Sequence, residues 1–286
     1  MNKVIVMADS TCDLSKELVE KYDVKIVPLH VTFPDKNLDF LDGIDIDPEK
    51  LYKKVEELKS TPKTSAINVK EFIDYFTPYI NQGFDIIFTG IGGALSSTIQ
   101  NANIAKQEFE EGRIEVVDSE NLSTGTGLLV LKMCELRDQG LSVKDIATKV
   151  REYVPYVSAK FCINELDYLY KGGRCSGFTR GLAGLLHLHP VAMVKDGKLS
   201  MHKIIRGKYI KSVDYQIEMF KNDLPNIDLN HVFITDSGHM DGEDKYIEEK
   251  LLQYVKKENI HHTKAGCVVC SHCGPKTIGI LYINKK

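Results

Sequence analysis

The chain has 286 residues, 43% hydrophobic and 27% charged, with a formal net charge of -3. That length admits one large domain or two modest ones with real cores. The slight acidity and the lack of a basic stripe argue against general nucleic-acid binding, and no apolar run approaches the ~20 residues of a membrane span. Seven cysteines, an odd number in a long chain, argue against a disulfide scaffold. The apolar part of the N-terminus is too short for a signal peptide, so a cytoplasmic protein with reduced thiols is expected.

Residues 3–8 (KVIVMA) read as a parallel strand buried on both faces. Asp9, Ser10, Thr11 and Asp13 follow at its C-terminal end, where open α/β sheets bind ligands. The same residues also suit plain capping of a helix expected over about 15–21, by Asp13 or Ser15. Residues 24–33 (VKIVPLHVTF) read as a second strand, with Pro28 marking an edge or irregularity. An Asp-rich loop over 34–47 leads through Pro48 into an exposed amphipathic helix. A hydroxyl-rich loop, 60–68 (STPKTSAIN), precedes a helix over 69–80. With Asn68 as N-cap, Thr64 and Ser65 have no capping duty and are freer to serve a ligand.

Residues 84–106 (FDIIFTGIGGALSSTIQNANIAK) organise the rest. A buried strand, a Gly-rich turn and a helix opened by Ser96 and Ser97 is how an α/β fold builds an anion site. Gly92 and Gly93 permit a tight turn. Ser96 or Ser97 can cap the helix, where hydroxyls, free N–H groups and the positive end of the dipole meet. An N-capped helix after a tight turn, with no ligand, fits the same pattern.

Residues 113–119 give another buried strand, ending in Asp118 and Ser119, followed by helices over 124–138 and from 143 to about 153. This alternation predicts an α/β domain, residues 1–156, with a mostly parallel sheet and helices on both faces. Residues 157–286 read as a smaller α+β domain. Its expected elements are a strand at 157–163, a helix at 165–171 ended by Gly172 and Gly173, an unusually apolar helix at 178–188, and a hairpin over 190–205. A helix at 208–221, a strand at 231–235, a helix at 243–256, a strand at 265–270, a turn at 271–276 and a strand at 277–283 complete it.

Cys267, Cys270, His272 and Cys273 have a metal-like spacing. However, no second ligand pair lies elsewhere, and buried small hydrophobes explain the cysteines as well. On the expected strand, Cys270 and His272 face one way and Cys267 the other. His272, beside a Gly-Pro turn, could donate to a carboxylate or simply sit on the surface. No nucleophile elbow, Walker loop, zinc-binding His pair or dinucleotide fingerprint is present. Asp9 and Asp118 are the acidic candidates for general base work, without an identifiable partner acid or nucleophile.

Set in order, these pieces resemble the DegV family, the fatty-acid-binding proteins that serve bacterial fatty acid kinase. The resemblance covers essentially the whole length. It rests on DSTCDL from Asp9, KTS from Lys63, LSST from Leu95, VDS from Val117, LDYL from Leu166 with Gly172, Gly173 and Arg174, and HCGP from His272. It implies that the two domains enclose one long-chain fatty acid between them. Thr64 and Ser96 would hydrogen-bond the carboxylate, and the helix N-terminus at Ser97 would add an N–H donor. Arg174 and His272 would come from the second domain, and the acyl chain would run along a wall for which 178–188 is the candidate. The resemblance further implies no catalysis, metal or cofactor in this chain, which would bind the fatty acid and present it to a kinase subunit. Three departures stand out. Ala66, Ile67 and Asn68 replace Gln-Pro-Ser; Ser97, Thr98 and Ile99 replace Gly-Thr-Tyr; and Lys276 replaces a glycine. The alternative reading is a phosphoryl- or acyl-transfer enzyme with a phosphate site from Gly93 to Ser97 and Asp9 or Asp118 as base or Mg²⁺ ligand. A Cys-ligated metal protein is the third.

Overall fold

The chain, seen in a computed structural model that describes residues 3–174 and 188–285, runs β1 (Val4–Asp9), α1 (Lys16–Lys21), β2 (Lys25–Val27), β3 (His30–Phe33), β4 (Leu38–Leu41), α2 (Pro48–Leu58), β5 (Lys63–Ser65), α3 (Val69–Asn81), β6 (Asp85–Gly90), α4 (Thr98–Ala105), β7 (Ile114–Asp118), α5 (Thr124–Asp138) and α6 (Val143–Arg151). It continues with β8 (Val157–Cys162), α7 (Leu166–Gly172), β9 (Leu188–Lys195), β10 (Lys198–Arg206), α8 (Ile210–Asp223), β11 (Ile227–Asp236), α9 (Glu243–Leu251), β12 (Ile260–Lys264), α10 (Cys267–Cys273) and β13 (Ile278–Asn284).

Three sheets result. The first, in the order β2-β1-β6-β7, is parallel throughout. Side chains alternate across a strand, so Ile5 and Met7 join Ile86 and Phe88 on the face covered by α3 and α4. Val6 and Ala8 join Ile87 and Val117 on the face covered by α5 and α6. A six-stranded sheet, β10-β9-β8-β13-β11-β12, takes every strand among the described residues from 157 onward and is antiparallel except between β11 and β12. Helices α8 and α9 cover one face of it through Val213, Phe220 and Ile247. Its other face meets α5, where Leu128 and Leu131 pack with Ala159, Phe233 and Leu281. The first eight residues of α5, Thr124 to Leu131, are buried on every side because the helix is the layer shared by two sheets. Among the described residues no helix is long and apolar enough to cross a membrane.

Four expectations need correction. The strand over 24–33 is two strands, because Pro28 lacks the N–H a continuing ladder requires. β2 stays in the parallel sheet, while β3 turns away to pair with β4 and β5 in a small antiparallel sheet. The presumed loops over 34–47 and 60–68 supply β4 and β5. A further strand, β12, occupies 260–264. Residues 267–273 are a helix, not the expected strand and turn. Residues 178–187 of the proposed acyl wall lie outside the described residues, and Leu188 opens β9.

The small sheet carries its own pH-sensitive tie. His30 Nδ1 lies 3.0 Å from Asp39 Oδ1, and Nε2 lies 3.0 Å from Glu71 Oε1, the acid of the capping box at the start of α3. Burial lowers the imidazole pKa, but its hydrogen bonds to the Asp39 and Glu71 carboxylates and their negative charge outweigh it, and the net shift is upward. A folded-state pKa above the unfolded value gives stability fully present below about pH 6.5 and lost as pH rises through the folded pKa. His30→Ala should therefore lower Tm more at about pH 5.5 than at about pH 8.5. Thermal melts at both pH values check this, and an equal loss at both would rule it out.

Candidate functional site

The site begins with how the Gly-rich turn is held. Asp9, wholly buried at the end of β1, accepts the Thr11 N–H at 3.0 Å and the Thr11 hydroxyl at 2.6 Å on one oxygen. Its other oxygen accepts the Ile91 N–H at 2.8 Å. Burial raises its pKa to about 6 despite these donors. Asp118 accepts the N–H groups of Gly93 and Glu120 at 3.1 and 2.9 Å. Both carboxylates fasten the turn from its protein side, and neither lines the cavity beyond it. The general-base and Mg²⁺-ligand roles considered for them are replaced by this one. Gly90 is glycine for lack of room, since a Cβ would stand 2.2 Å from Asp9 Oδ2.

The turn delivers Ser96 to the start of α4. Its hydroxyl accepts the Thr98 N–H at 3.3 Å and lies 2.9 Å from the buried Thr98 hydroxyl. Ser96, not Ser97, thus does the local capping. Ser97 sits at φ -78°, a conformation any residue adopts, with an exposed side chain that makes no cap bond. It is the one expected site residue missing from the cavity lining.

Thr64 comes from β5, opposite Val31 in the small sheet. His272 comes from α10, and the reason this Cys- and Val-rich segment is helical is nonlocal. Asp13 Oδ1 accepts the Gly266 N–H at 2.8 Å, and Asp42 Oδ1 accepts the Cys267 N–H at 2.7 Å. Two carboxylates from the first half of the chain therefore hold the N-terminus of α10, where the dipole favours negative charge. Their second oxygens accept from the hydroxyls of Ser123 and Ser10 at 2.5 and 2.9 Å. Asp13, given as a ligand-loop or cap residue of α1, instead caps a helix 253 residues away. The cap of α1 is Ser15.

His272 Nε2 lies 2.9 Å from Thr64 Oγ1. Burial, then the nearby charges of Arg174 and Lys63, depress its pKa to about 4, so the imidazole is neutral at physiological pH. Arg174, exposed just past α7, donates from Nη1 to the Gly172 carbonyl at 3.0 Å and from Nε to the Leu95 carbonyl at 3.5 Å. It thereby bridges the end of α7 to the turn that carries Ser96.

Thr64, Ser65, Ser96, Arg174 and His272 line one cavity of about 50 Å³, completed by apolar side chains including Leu29, Ile91, Leu95, Leu122, Val268 and Val269. A neighbouring cavity of about 30 Å³ shares Leu122, Val269 and Cys273 with it and continues between α10 and the six-stranded sheet past Phe161 and Leu281. The hydroxyls along this continuation bond within the protein: Ser123 to Asp13, Ser237 to the Gly274 carbonyl, Thr277 to the Cys273 carbonyl. The wall contributed by Val268, Val269 and Cys273 was missed in the sequence. Helical spacing would have placed Val269, His272 and Cys273 on one face.

Lys276 does not join the site. It takes φ 57° and its ammonium pairs with Asp241. The thiols of Cys267, Cys270 and Cys273 are buried and pushed upward in pKa by that burial, Cys273 to about 12. Among the described residues no group of three His, Cys, Asp or Glu side chains is placed to hold a metal.

A family model described as "Uncharacterised protein, DegV family" matches residues 3–285. DegV domain-containing proteins of Clostridium perfringens and Clostridium acetobutylicum are 31% and 32% identical, each covering 100% of both chains. Among solved structures, a Thermus thermophilus DegV family protein described for its fatty acid binding superposes with a TM-score of 0.89 at 27% identity, covering 99% of each chain. A stearic-acid-binding protein of Eubacterium ventriosum gives 0.84 at 29% identity, covering 100% of this chain and 99% of that one. Matched by the family model along almost its whole length, and by relatives from end to end at more than 30% identity, the chain belongs to the DegV family.

Proposed function

We propose that the protein binds one long-chain fatty acid. The carboxylate is held by Thr64, Ser96, His272 and Arg174, with the Ser97 N–H at the helix start as a further donor. The carrying observation is that donors from four separate segments line one cavity whose remaining walls are apolar and lead into a second apolar cavity. A carboxylate needs donors and positive potential, and its chain needs an apolar path. Each buried methylene contributes roughly 0.8 kcal/mol. Ser96, backed by Thr98, and Thr64, backed by His272, each have a partner that orients the hydroxyl. The fatty-acid binding described for the Thermus and Eubacterium relatives supports the same reading.

The exposure of Arg174 supports a head-group end near the surface, which would suit presentation of the carboxylate to a cytoplasmic fatty acid kinase. On this reading the chain binds and presents, and the partner performs the phosphoryl transfer. The test is to denature the purified protein, extract it with organic solvent and analyse the extract by mass spectrometry. The expected result is a stoichiometric long-chain fatty acid. An extract without one, together with no binding of added octadecanoate, would sink the proposal.

A further inference from the structure

Two consecutive glycines end α7, and only one is explained by the backbone. Gly173 takes φ 70°, the left-handed cap that glycine suits. Gly172 is not among the residues at positive φ, so alanine would suit its helical conformation better. What forbids alanine is space: a Cβ on Gly172 would stand 2.2 Å from His272 Nδ1 and 3.1 Å from Cγ, both belonging to a half-buried ring whose other side is held by Thr64. Gly172 is itself buried, and its carbonyl accepts from Arg174 at 3.0 Å. One glycine thus abuts the imidazole and anchors the guanidinium.

The ring's two nitrogens differ in environment. Nε2 faces Thr64 Oγ1 at 2.9 Å, whereas Nδ1 is buried and makes no hydrogen bond of normal geometry among the described residues; the Gly172 carbonyl beside it, whose pull raises the imidazole pKa slightly against the effect of burial, is engaged by Arg174. A bare lone pair is cheaper to leave unpartnered there than an N–H. We infer that Gly172 is a positioning residue that seats His272 as its Nε2–H tautomer, so that the imidazole donates to Thr64 and the Thr64 hydroxyl hydrogen is directed at the carboxylate. The opposite tautomer would take the Thr64 hydrogen for Nε2 and leave the carboxylate facing a lone pair. Neutral His272 therefore acts through Thr64 as the first member of a donor chain.

This inference rests on the fatty-acid reading above, and two measurements separate their failures. Nitrogen-15 NMR of histidine-labelled protein reports the tautomer whether or not any lipid binds. A protonated Nε2 with a bare Nδ1 is expected, and a protonated Nδ1 would overturn the inference. Octadecanoate titrations of Gly172→Ala, His272→Ala and the double variant form the second measurement. Gly172→Ala is expected to weaken binding about tenfold in the native background and not at all beside His272→Ala. Undiminished affinity in Gly172→Ala, or an equal loss in both backgrounds, would contradict the positioning role. If the unaltered protein binds no octadecanoate, the functional reading fails and the spectrum alone decides the tautomer. The spectrum also decides if Gly172→Ala does not fold.

Discussion

Replacing Asp13 and Asp42 together by alanine is expected to destabilise the protein by about 2–4 kcal/mol and to loosen the helix that carries His272. Each carboxylate accepts one N–H at the start of α10 and one hydroxyl from a neighbouring loop. Alanine would leave the Gly266 and Cys267 N–H groups facing an apolar methyl. The figure is smaller than four lost bonds suggest because burial of two acids carries its own cost. Burial raises both pKa values, that of Asp13 well above the ordinary carboxylate value. Groups with raised folded-state pKa values contribute stability fully present below the unfolded value near pH 4 and lost as pH rises through the folded one. The double replacement should accordingly cost more at about pH 5 than at about pH 8. Urea denaturation at the two pH values, with octadecanoate affinity measured alongside, checks it. An unchanged midpoint would mean that α10 does not depend on these acids.

Thr64→Ala and Ser96→Ala should each weaken octadecanoate binding by about 1–3 kcal/mol, or roughly fivefold to over a hundredfold in Kd. On the proposed reading both remove a donor to the carboxylate, since both hydroxyls line a largely apolar cavity. Their side effects differ and serve as internal controls. Thr64→Ala leaves the His272 Nε2 without its partner. Ser96→Ala deprives the Thr98 N–H of its acceptor and should cost about 1 kcal/mol in stability as a lost cap. Isothermal titration with thermal melts separates the two effects. Unchanged affinity in both variants would remove these hydroxyls from the site.

Local pattern carried the reading of sequence into structure where local physics decides the structure. Helix α5 has the expected bounds because a hydroxyl start and a Gly140 stop delimit it. Thr64 stood out because Asn68 takes the capping duty, and its side chain does accept the Glu71 N–H. What local pattern could not show was long-range capping. A Cys-Val-Val-Cys run reads as a strand by β-propensity, and becomes a helix here with acceptors supplied from 253 and 225 residues away. The same blindness made Asp9 and Asp118 look like chemical groups. Their lone pairs are engaged by backbone N–H groups of the very turn they were expected to serve. The apolar path was hidden for a related reason, since Val269 and Cys273 face it only once α10 is helical.

The position of α5 has a mechanical consequence. Its Leu129 and Met133 lie in the core under the parallel sheet, while Leu128 and Leu131 lie in the core under the six-stranded one. Parting the two sheets would strip one or the other set into water. The halves are thus welded, and a hinge between them is too costly to serve as a door. A smaller tie lies at the rim of the cavity, where Arg174 joins the end of α7 to the Ser96 turn through two carbonyl contacts.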